Sequence, residues 1–513
     1  MEDYLQKILR ARVYDVAVET PLEKAKNLSQ RFENQIWLKR EDLQPVFSFK
    51  LRGAYNRMVQ LHEDELKKGV IASSAGNHAQ GVALSASHLK CKAVIVMPVT
   101  TPATKVKAVN NLKAEVVLHG DTYDESYQEA LRISKKEGLT FIHPFDDPEV
   151  IAGQGTIALE VLHQSEKPPD AIYVAVGGGG LIGGIAAYVK SLWPNIKVIG
   201  VEPHDACAMT LSLKEGKRIE LKEVGLFADG VAVKKVGSNT FELAQKYVDS
   251  MVTVSTDEIC AAIKDVFEDT RSILEPAGAL AIAGLKADVT NRKLKNQSLV
   301  AIACGANMNF ERLRFVAERA ELGENRELMM AIEIEERAGS LKELCEVLGK
   351  RSLTEFSYRM SSKTLAQIFM AVELKGDKDR DELIEKLKNS DLTYLDLSND
   401  ELSKVHLRHM VGGRLPLSTQ TISENPFKEL IYRFEFPERP GALISFLNKL
   451  KSDWSISIFH YRNHGSDVGR IVIGVLVPEN EVDTWNQFLK DLGYKNWNES
   501  DNPAYKLFLG AQT

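Results

Sequence analysis

Cysteine is scarce in this chain. The five cysteines in 513 residues, at 91, 207, 260, 304 and 345, are odd in number, and no CxxC pair occurs. That distribution excludes a zinc-ribbon pattern and fits a reducing compartment. No other metal-ligand motif stands out. Long apolar runs are missing too, and none approaches the length of a membrane span. The start, Met1-Glu2-Asp3, lacks the basic-then-apolar layout of a signal peptide. The expected location is therefore cytoplasmic. Positive charge is not in excess. A net charge of −6 argues against nucleic acid or an anionic membrane as the main partner. What remains is ordinary globular composition, 44% hydrophobic and 27% charged. The length allows roughly two to four domains.

From about residue 35 to 318, apolar β-branched runs alternate with stretches of helical length. The strand candidates are 35–39, 70–72, 93–97, 115–118, 171–176, 197–202 and 298–304. Segments such as 78–88 and 181–192 read as helices. Several runs are almost continuously apolar, as strands buried on both faces are. The alternation predicts an α/β region with a largely parallel sheet. Ligands of such sheets sit beyond the carboxyl ends of the strands.

Four stretches lie at such places. Ser48-Phe49-Lys50-Leu51-Arg52-Gly53-Ala54 puts a lysine where a loop meets a predicted helix over 51–61, with Tyr55, Met58 and Val59 as its apolar stripe. A lysine there is either a solvated charge or a Schiff-base nucleophile. Ser73-Ser74-Ala75-Gly76-Asn77-His78-Ala79-Gln80-Gly81 follows a strand and opens a helix. Free N–H groups at that junction favour a carboxylate or phosphate, although Asn77 alone could be a helix cap. Gly177-Gly178-Gly179-Gly180-Leu181 also joins strand to helix. Four glycines cost too much chain entropy for an ordinary turn, and such a loop lets backbone amides wrap a phosphate. It is neither a dinucleotide fingerprint nor a Walker loop. Cys304-Gly305-Ala306-Asn307 ends the last strand. Cys304 alone would be a small core residue.

In this order the four stretches, with Glu275-Pro276-Ala277-Gly278-Ala279 as a fifth, resemble the fold-type-II pyridoxal-phosphate enzymes. The chain is similar to the serine/threonine dehydratases, and over nearly all of 10–513 to the biosynthetic threonine deaminases (threonine ammonia-lyases). That resemblance implies a tryptophan synthase β-like catalytic domain binding pyridoxal 5'-phosphate. It implies Lys50 as the Schiff-base lysine and as the base that removes the α-proton. Phe49 would flank the ring, Asn77 would meet the ring hydroxyl, and Gly177, Gly178, Gly179, Gly180 and Leu181 would hold the phosphate. Ser73, Ser74, Ala75, Gly76, Asn77 and His78 would line the site for the substrate carboxylate. Cys304 would face the pyridine nitrogen, where many biosynthetic members carry serine. The implied reaction takes L-threonine, and L-serine as well, to a 2-oxo acid and ammonia at the entry to isoleucine synthesis.

The pattern changes after residue 318. A charged linker over 319–327 leads into a sequence that repeats itself. Residues 330–341 match 432–443 at an offset of 102, and 356–359 match 459–462 at an offset of 103. Near-constant offset indicates an internal duplication. Alternation at Ile332 and Ile334, and at Phe434 and Phe436, marks half-buried strands. Each copy reads as a split βαβ, ferredoxin-like unit. The expected domains are 1–318, two ACT-like regulatory modules at 328–399 and 429–500, a connection at 400–428 holding Gly412, Gly413 and Pro416, and a tail at 501–513. The resemblance implies isoleucine as feedback inhibitor, valine as its antagonist and activator, and a homotetramer. Inert oligomerisation domains are the alternative for the modules. A serine racemase and a non-catalytic amino-acid sensor are the alternatives for the whole chain. The doubled modules oppose the first, and the intact Lys50, Asn77 and glycine loop oppose the second.

Overall fold

The apolar runs become strands because their β-branched residues fit a pleat buried on both faces. A computed structural model describes residues 3–508 apart from 325, 336–339, 350, 352, 361–364, 408–426, 438–448, 452–453 and 463–467. It divides into two units, Met1–Val316 and Ala317–Thr513. No helix among the described residues is long and apolar enough to cross a membrane.

The first unit holds β1 (Leu22–Lys24), β2 (Gln35–Arg40), β3 (Val70–Ser73), β4 (Ala93–Met97), β5 (Glu115–Leu118), β6 (Thr140–Phe141), β7 (Ala171–Ala175), β8 (Lys197–Pro203), β9 (Ser250–Val254) and β10 (Ser298–Ala303). All seven expected strands are present, with ends within one residue of those read from sequence. They form two sheets, not one. A four-stranded sheet runs β5-β4-β3-β6, and a six-stranded sheet runs β1-β2-β10-β7-β8-β9. Every pairing is parallel except β1 with β2. The split follows from β2, which pairs with β10 rather than with β3. The chain between β2 and β7 is thereby free to build its own lobe. That lobe has its own core, including Val70, Ala72, Ile95 and Met97 from the strands and Ala79, Val82 and Ala83 from the helix that follows β3. The missed strands β1, β6 and β9 carry the weaker signal expected of short or edge strands.

Lys50 begins the helix Lys50–Met58, which is shorter than the 51–61 expected. Arg52, two residues along the same motif, is fully buried. Its guanidinium grips Glu41 with Nε to Oε2 and Nη2 to Oε1, both 2.8 Å, and reaches Glu160 Oε1 at 2.6 Å. Lys39, equally buried, pairs with Glu160 Oε2 at 2.6 Å. Two cations and two carboxylates thus sit together in the interior. Removing one partner of such a cluster typically costs about 3–5 kcal/mol, because an uncompensated charge stays behind. The arginine of the motif is a foundation for the helix that carries Lys50.

The second unit contains two similar sheets. In the first, β11 (Glu327–Glu335), β12 (Leu353–Met360), β13 (Leu365–Glu373) and β14 (Thr393–Asp396) lie in the order β12-β13-β11-β14. In the second, β15 (Phe427–Pro437), β16 (Ser455–Arg462), β17 (Val468–Pro478) and β18 (Lys495–Asn498) lie in the order β16-β17-β15-β18. Every pairing is antiparallel. The two sheets share one strand order, as a ferredoxin-like duplication requires.

The half-buried reading of the first strand needs correction. Leu328, Met330, Ile332 and Ile334 face a core with the helix residues Leu344, Leu383 and Leu387. Met329 and Ala331, on the opposite face, are also fully buried, in a cluster with Phe369, Ile431, Val472 and Phe508. The second copy therefore covers the face that alternation alone assigned to water. The helix Pro503–Phe508, within the expected tail, contributes to that cluster. Residues 319–327 include the end of the helix Arg312–Gly323 and the first residue of β11. The glycine turns at 339 and 441, and the Gly412, Gly413 and Pro416 connection, lie outside the described residues.

The duplication extends to single hydrogen bonds. Met329 N donates to Ser398 Oγ at 3.1 Å, and Ile431 N donates to Ser500 Oγ at 3.0 Å. Each pair of equivalents is 102 residues apart. The next equivalent pair, Asp400 and Asn502, meet each other. Asn502 Nδ2 donates to Asp400 Oδ1 at 3.0 Å.

Candidate active site

Phe49 is the last residue before the lysine helix, and its N–H donates to the Cys304 carbonyl at 3.3 Å. An isolated bridge between Ser48 and Gly305 ties the same loops together. The first and fourth motifs, some 250 residues apart, are therefore neighbours. The Lys50 amine lies 5.4 Å from the centre of the Phe49 ring and donates to the Pro144 carbonyl at 3.0 Å. Burial pushes its pKa down to about 8, against the opposing pull of Cys304 and Glu275. This is the environment a nucleophilic lysine needs, since burial disfavours the charged form.

Cys304 is buried, and its thiol donates to the Ala277 carbonyl at 3.3 Å. Burial, followed by the Glu275 charge, pushes the thiol pKa far up. The group stays neutral across the physiological range.

The tetraglycine run joins β7 to the helix Gly180–Leu192. Among the described residues, the N–H groups of residues 177–182 donate to no carbonyl or side chain. They form an open row of donors at a helix N-terminus, which suits a phosphate. The glycines are also a steric requirement. A Cβ on Gly178 would lie 2.2 Å from the Phe145 ring, and Gly179 has φ +94°. The dipeptide Pro144-Phe145 thus touches the lysine amine on one side and the glycine loop on the other. Asp146, next in line, accepts from the N–H groups of Ser238 and Asn239 at 2.8 and 2.9 Å, and so fixes this loop to the start of the helix Ser238–Tyr247.

Asn77 does not cap its helix. Gly76 occupies the cap position, and Asn77 is the first helical residue. Its side chain instead donates through Nδ2 to Glu275 Oε1 and accepts at Oδ1 from Asn307 Nδ2 at 2.6 Å. Burial, and next the Asp229 charge, push the Glu275 carboxyl up to about 7, against the hydrogen bond from Asn77. Asp229 itself is held well below the usual carboxylate range despite burial, first by Lys105 at 2.8 Å and then by Arg312 at 3.5 Å.

The serine loop is divided in two. Ser74, Ala75, Gly76 and Asn77 are partly exposed, and a Cβ on Gly76 would meet nothing within 4 Å. Ser73 and His78 are buried. His78 Nε2 lies 2.8 Å from the Ile142 carbonyl, and burial followed by the Lys50 charge pushes its pKa down to about 3. Sequence reasoning missed Pro144, Phe145 and Asp229 as members of this crevice. It noted Glu275 and Asn307 only as letters of motifs, without a role of their own. His143-Pro144-Phe145-Asp146 lacks any regular pattern, and the short strand β6 before it went unread, so nothing in the sequence marked it as part of the site.

Residues 13–305 match the family described as pyridoxal-phosphate dependent enzyme. Residues 318–407 and 423–509 match the C-terminal regulatory domain of threonine dehydratase. The chain is 55% identical over 510 residues to the biosynthetic L-threonine dehydratase of Burkholderia multivorans, covering 99% of both chains. It is 51% identical over 507 residues to the chloroplastic biosynthetic threonine dehydratase of Arabidopsis thaliana, covering 99% of this chain and 84% of the relative. Among solved structures, the processed form of threonine deaminase isoform 2 from Solanum lycopersicum superposes with a TM-score of 0.61 at 55% identity. It covers 62% of this chain, and 88% of that structure is matched. A pyridoxal-phosphate fold followed by a doubled regulatory domain, with relatives of this identity along its whole length, means that the chain belongs to the biosynthetic threonine dehydratase family.

Proposed function

We propose that this chain removes water and ammonia from L-threonine to give 2-oxobutanoate, and acts on L-serine to give pyruvate. The carrying observation is the buried Lys50 amine, its pKa lowered by that burial, beside an open row of glycine N–H donors, joined through Pro144-Phe145. Bound at this crevice, pyridoxal phosphate supplies the electron sink that makes the substrate α-proton acidic and allows loss of the β-hydroxyl. Lys50 would hold the cofactor's carbonyl carbon. Its Nζ, when not holding that carbon, would be the group placed to take the α-proton. The N–H groups of Gly177, Gly178, Gly179, Gly180 and Leu181 would hold the phosphate oxygens. Asn77 would donate to the ring hydroxyl oxygen, Phe49 would flank the ring, and the neutral Cys304 would lie at the ring nitrogen. A neutral thiol there would be no strong acid toward the ring nitrogen. The exposed part of the 73–78 loop, Ser74 to Asn77, would receive the substrate carboxylate, with buried Ser73 and His78 supporting it. In this reading the duplicated modules bind isoleucine as inhibitor and valine as activator, the enzyme is a homotetramer, and it works in the cytoplasm. The direct test is 2-oxo acid release from threonine and from serine, with and without isoleucine. No release from either substrate would overturn the assignment.

Two further expectations concern the cofactor site. An ordinary lysine of pKa about 10.4 is neutral in roughly one molecule in 2,500 at pH 7, whereas Lys50 would be neutral in about a tenth. Cofactor attachment to apoenzyme should therefore quicken nearly tenfold per pH unit up to about pH 8, then level off. A rate still climbing at pH 10 would mean that the amine is not depressed. The second concerns Gly178. Aspartate there would set a side chain against the Phe145 ring and a negative charge beside the phosphate donors. Gly178→Asp should weaken cofactor binding by about a hundredfold, measured by equilibrium dialysis, with far-ultraviolet circular dichroism retained. Normal cofactor affinity in that variant would show that the loop has another task.

A further inference from the structure

The side chain of asparagine is nearly symmetric in shape, so its useful orientation has to be imposed by its neighbours. At Asn77 the imposition starts from a group with no ambiguity. The Val46 carbonyl can only accept, and Asn307 Nδ2 donates to it at 2.9 Å. That contact fixes the Asn307 amide, and its second N–H goes to Asn77 Oδ1. Asn77 must then present its nitrogen to Glu275, a carboxylate buried in the crevice that accepts there. Each link is a donor meeting an acceptor, and the direction is set from the Val46 carbonyl, which has no hydrogen to give. With Oδ1 engaged and one N–H on Glu275, Asn77 has one N–H to spare.

We propose that Glu275 and Asn307 are positioning residues that lock the Asn77 amide, so that its one uncommitted N–H serves the ring hydroxyl oxygen of the cofactor. This rests on the assignment of Asn77 to that oxygen. Neither residue touches the reacting atoms. They act by denying Asn77 the flipped state, in which an oxygen lone pair would replace the donor.

The donor–acceptor logic separates three variants of the full-length holoenzyme. Glu275→Gln keeps an acceptor for Asn77 and should bind the cofactor within about threefold of the unaltered enzyme. Glu275→Met offers no acceptor. Asn307→Asp turns a donor into an acceptor and pulls the Asn77 nitrogen the wrong way. Both should weaken cofactor binding about tenfold or more. Both should also shift the pH at which the visible band of the bound cofactor changes, and lower kcat more than they raise KM. Thermal melts and circular dichroism establish that each variant is folded. Asn307 is only half-buried, so Asn307→Asp remains informative if Glu275→Met does not fold. A Glu275→Gln enzyme as impaired as Glu275→Met would overturn the proposal, because charge rather than orientation would then be what counts. Unaltered binding and an unaltered band in Asn307→Asp would overturn it equally. Failure of the underlying assignment shows elsewhere, as an Asn77→Ala enzyme whose cofactor band titrates normally.

Discussion

Lys50→Ala should abolish the visible absorbance of the lysine-bound cofactor and lower turnover about a thousandfold or more. Two contributions coincide in this residue. On the proposed assignment, the variant loses both the covalent hold on the cofactor and the base for the α-proton, a function usually worth about 10²–10⁴-fold on its own. The fold should survive, since Lys50 is half-buried and makes one hydrogen bond, to a backbone carbonyl. Borohydride reduction of the unaltered holoenzyme followed by peptide mapping should place the label on the peptide containing Lys50. Label on any other lysine would remove the central assignment, whatever the variant did.

The second large effect concerns control. All the residues of the crevice precede Val316, and both duplicated sheets follow Ala317. A chain ended after Gly323 should keep pyridoxal phosphate and a measurable dehydratase rate, but lose its whole response to isoleucine. The response requires that isoleucine bind a less active state better than a more active one. A coupling of about 1–3 kcal/mol gives a 5–150-fold change in affinity, and removal of the modules takes it to zero. Stability of the shortened chain should fall as well if the modules hold subunits together. An active shortened enzyme with unaltered isoleucine sensitivity would move the effector site into the first unit.

The strand pattern was legible because burial on both faces leaves a nearly continuous apolar run in strands such as β4, β7 and β10, and seven strands were found with nearly correct ends. The site was legible where chemistry forces an unusual composition. Four glycines in a row, or a lysine at the head of a helix, are costly unless they are used. The division into two sheets was not legible, because β2 pairs with β10 across more than 250 residues and nothing local announces that partner. The role of Arg52 was hidden for a similar reason, since Glu41 is near in sequence but Glu160, which completes the cluster, lies 108 residues away. Glu275 and Asn307 were visible as letters of motifs, but only the meeting with Asn77 gave them a task. The buried outer face of β11 could not be read from its own copy, because the residues that cover it belong to the other.

The contact between Asp400 and Asn502 bears on how such a pair of modules can diverge. Two separate copies of one chain meeting about a twofold axis must use the same residue on both sides of that axis. Aspartate on both sides would set carboxylate against carboxylate, and like charges in contact repel. Joining the copies in one polypeptide lifts the rule. One side remains an acid, and the other becomes an amide that donates to it while still capping its own helix through Ala504 N. Once the two sides are free to differ where they meet, they are free to differ elsewhere on their surfaces. A fused pair can then answer two different amino acids, where a symmetric pair would be confined to one.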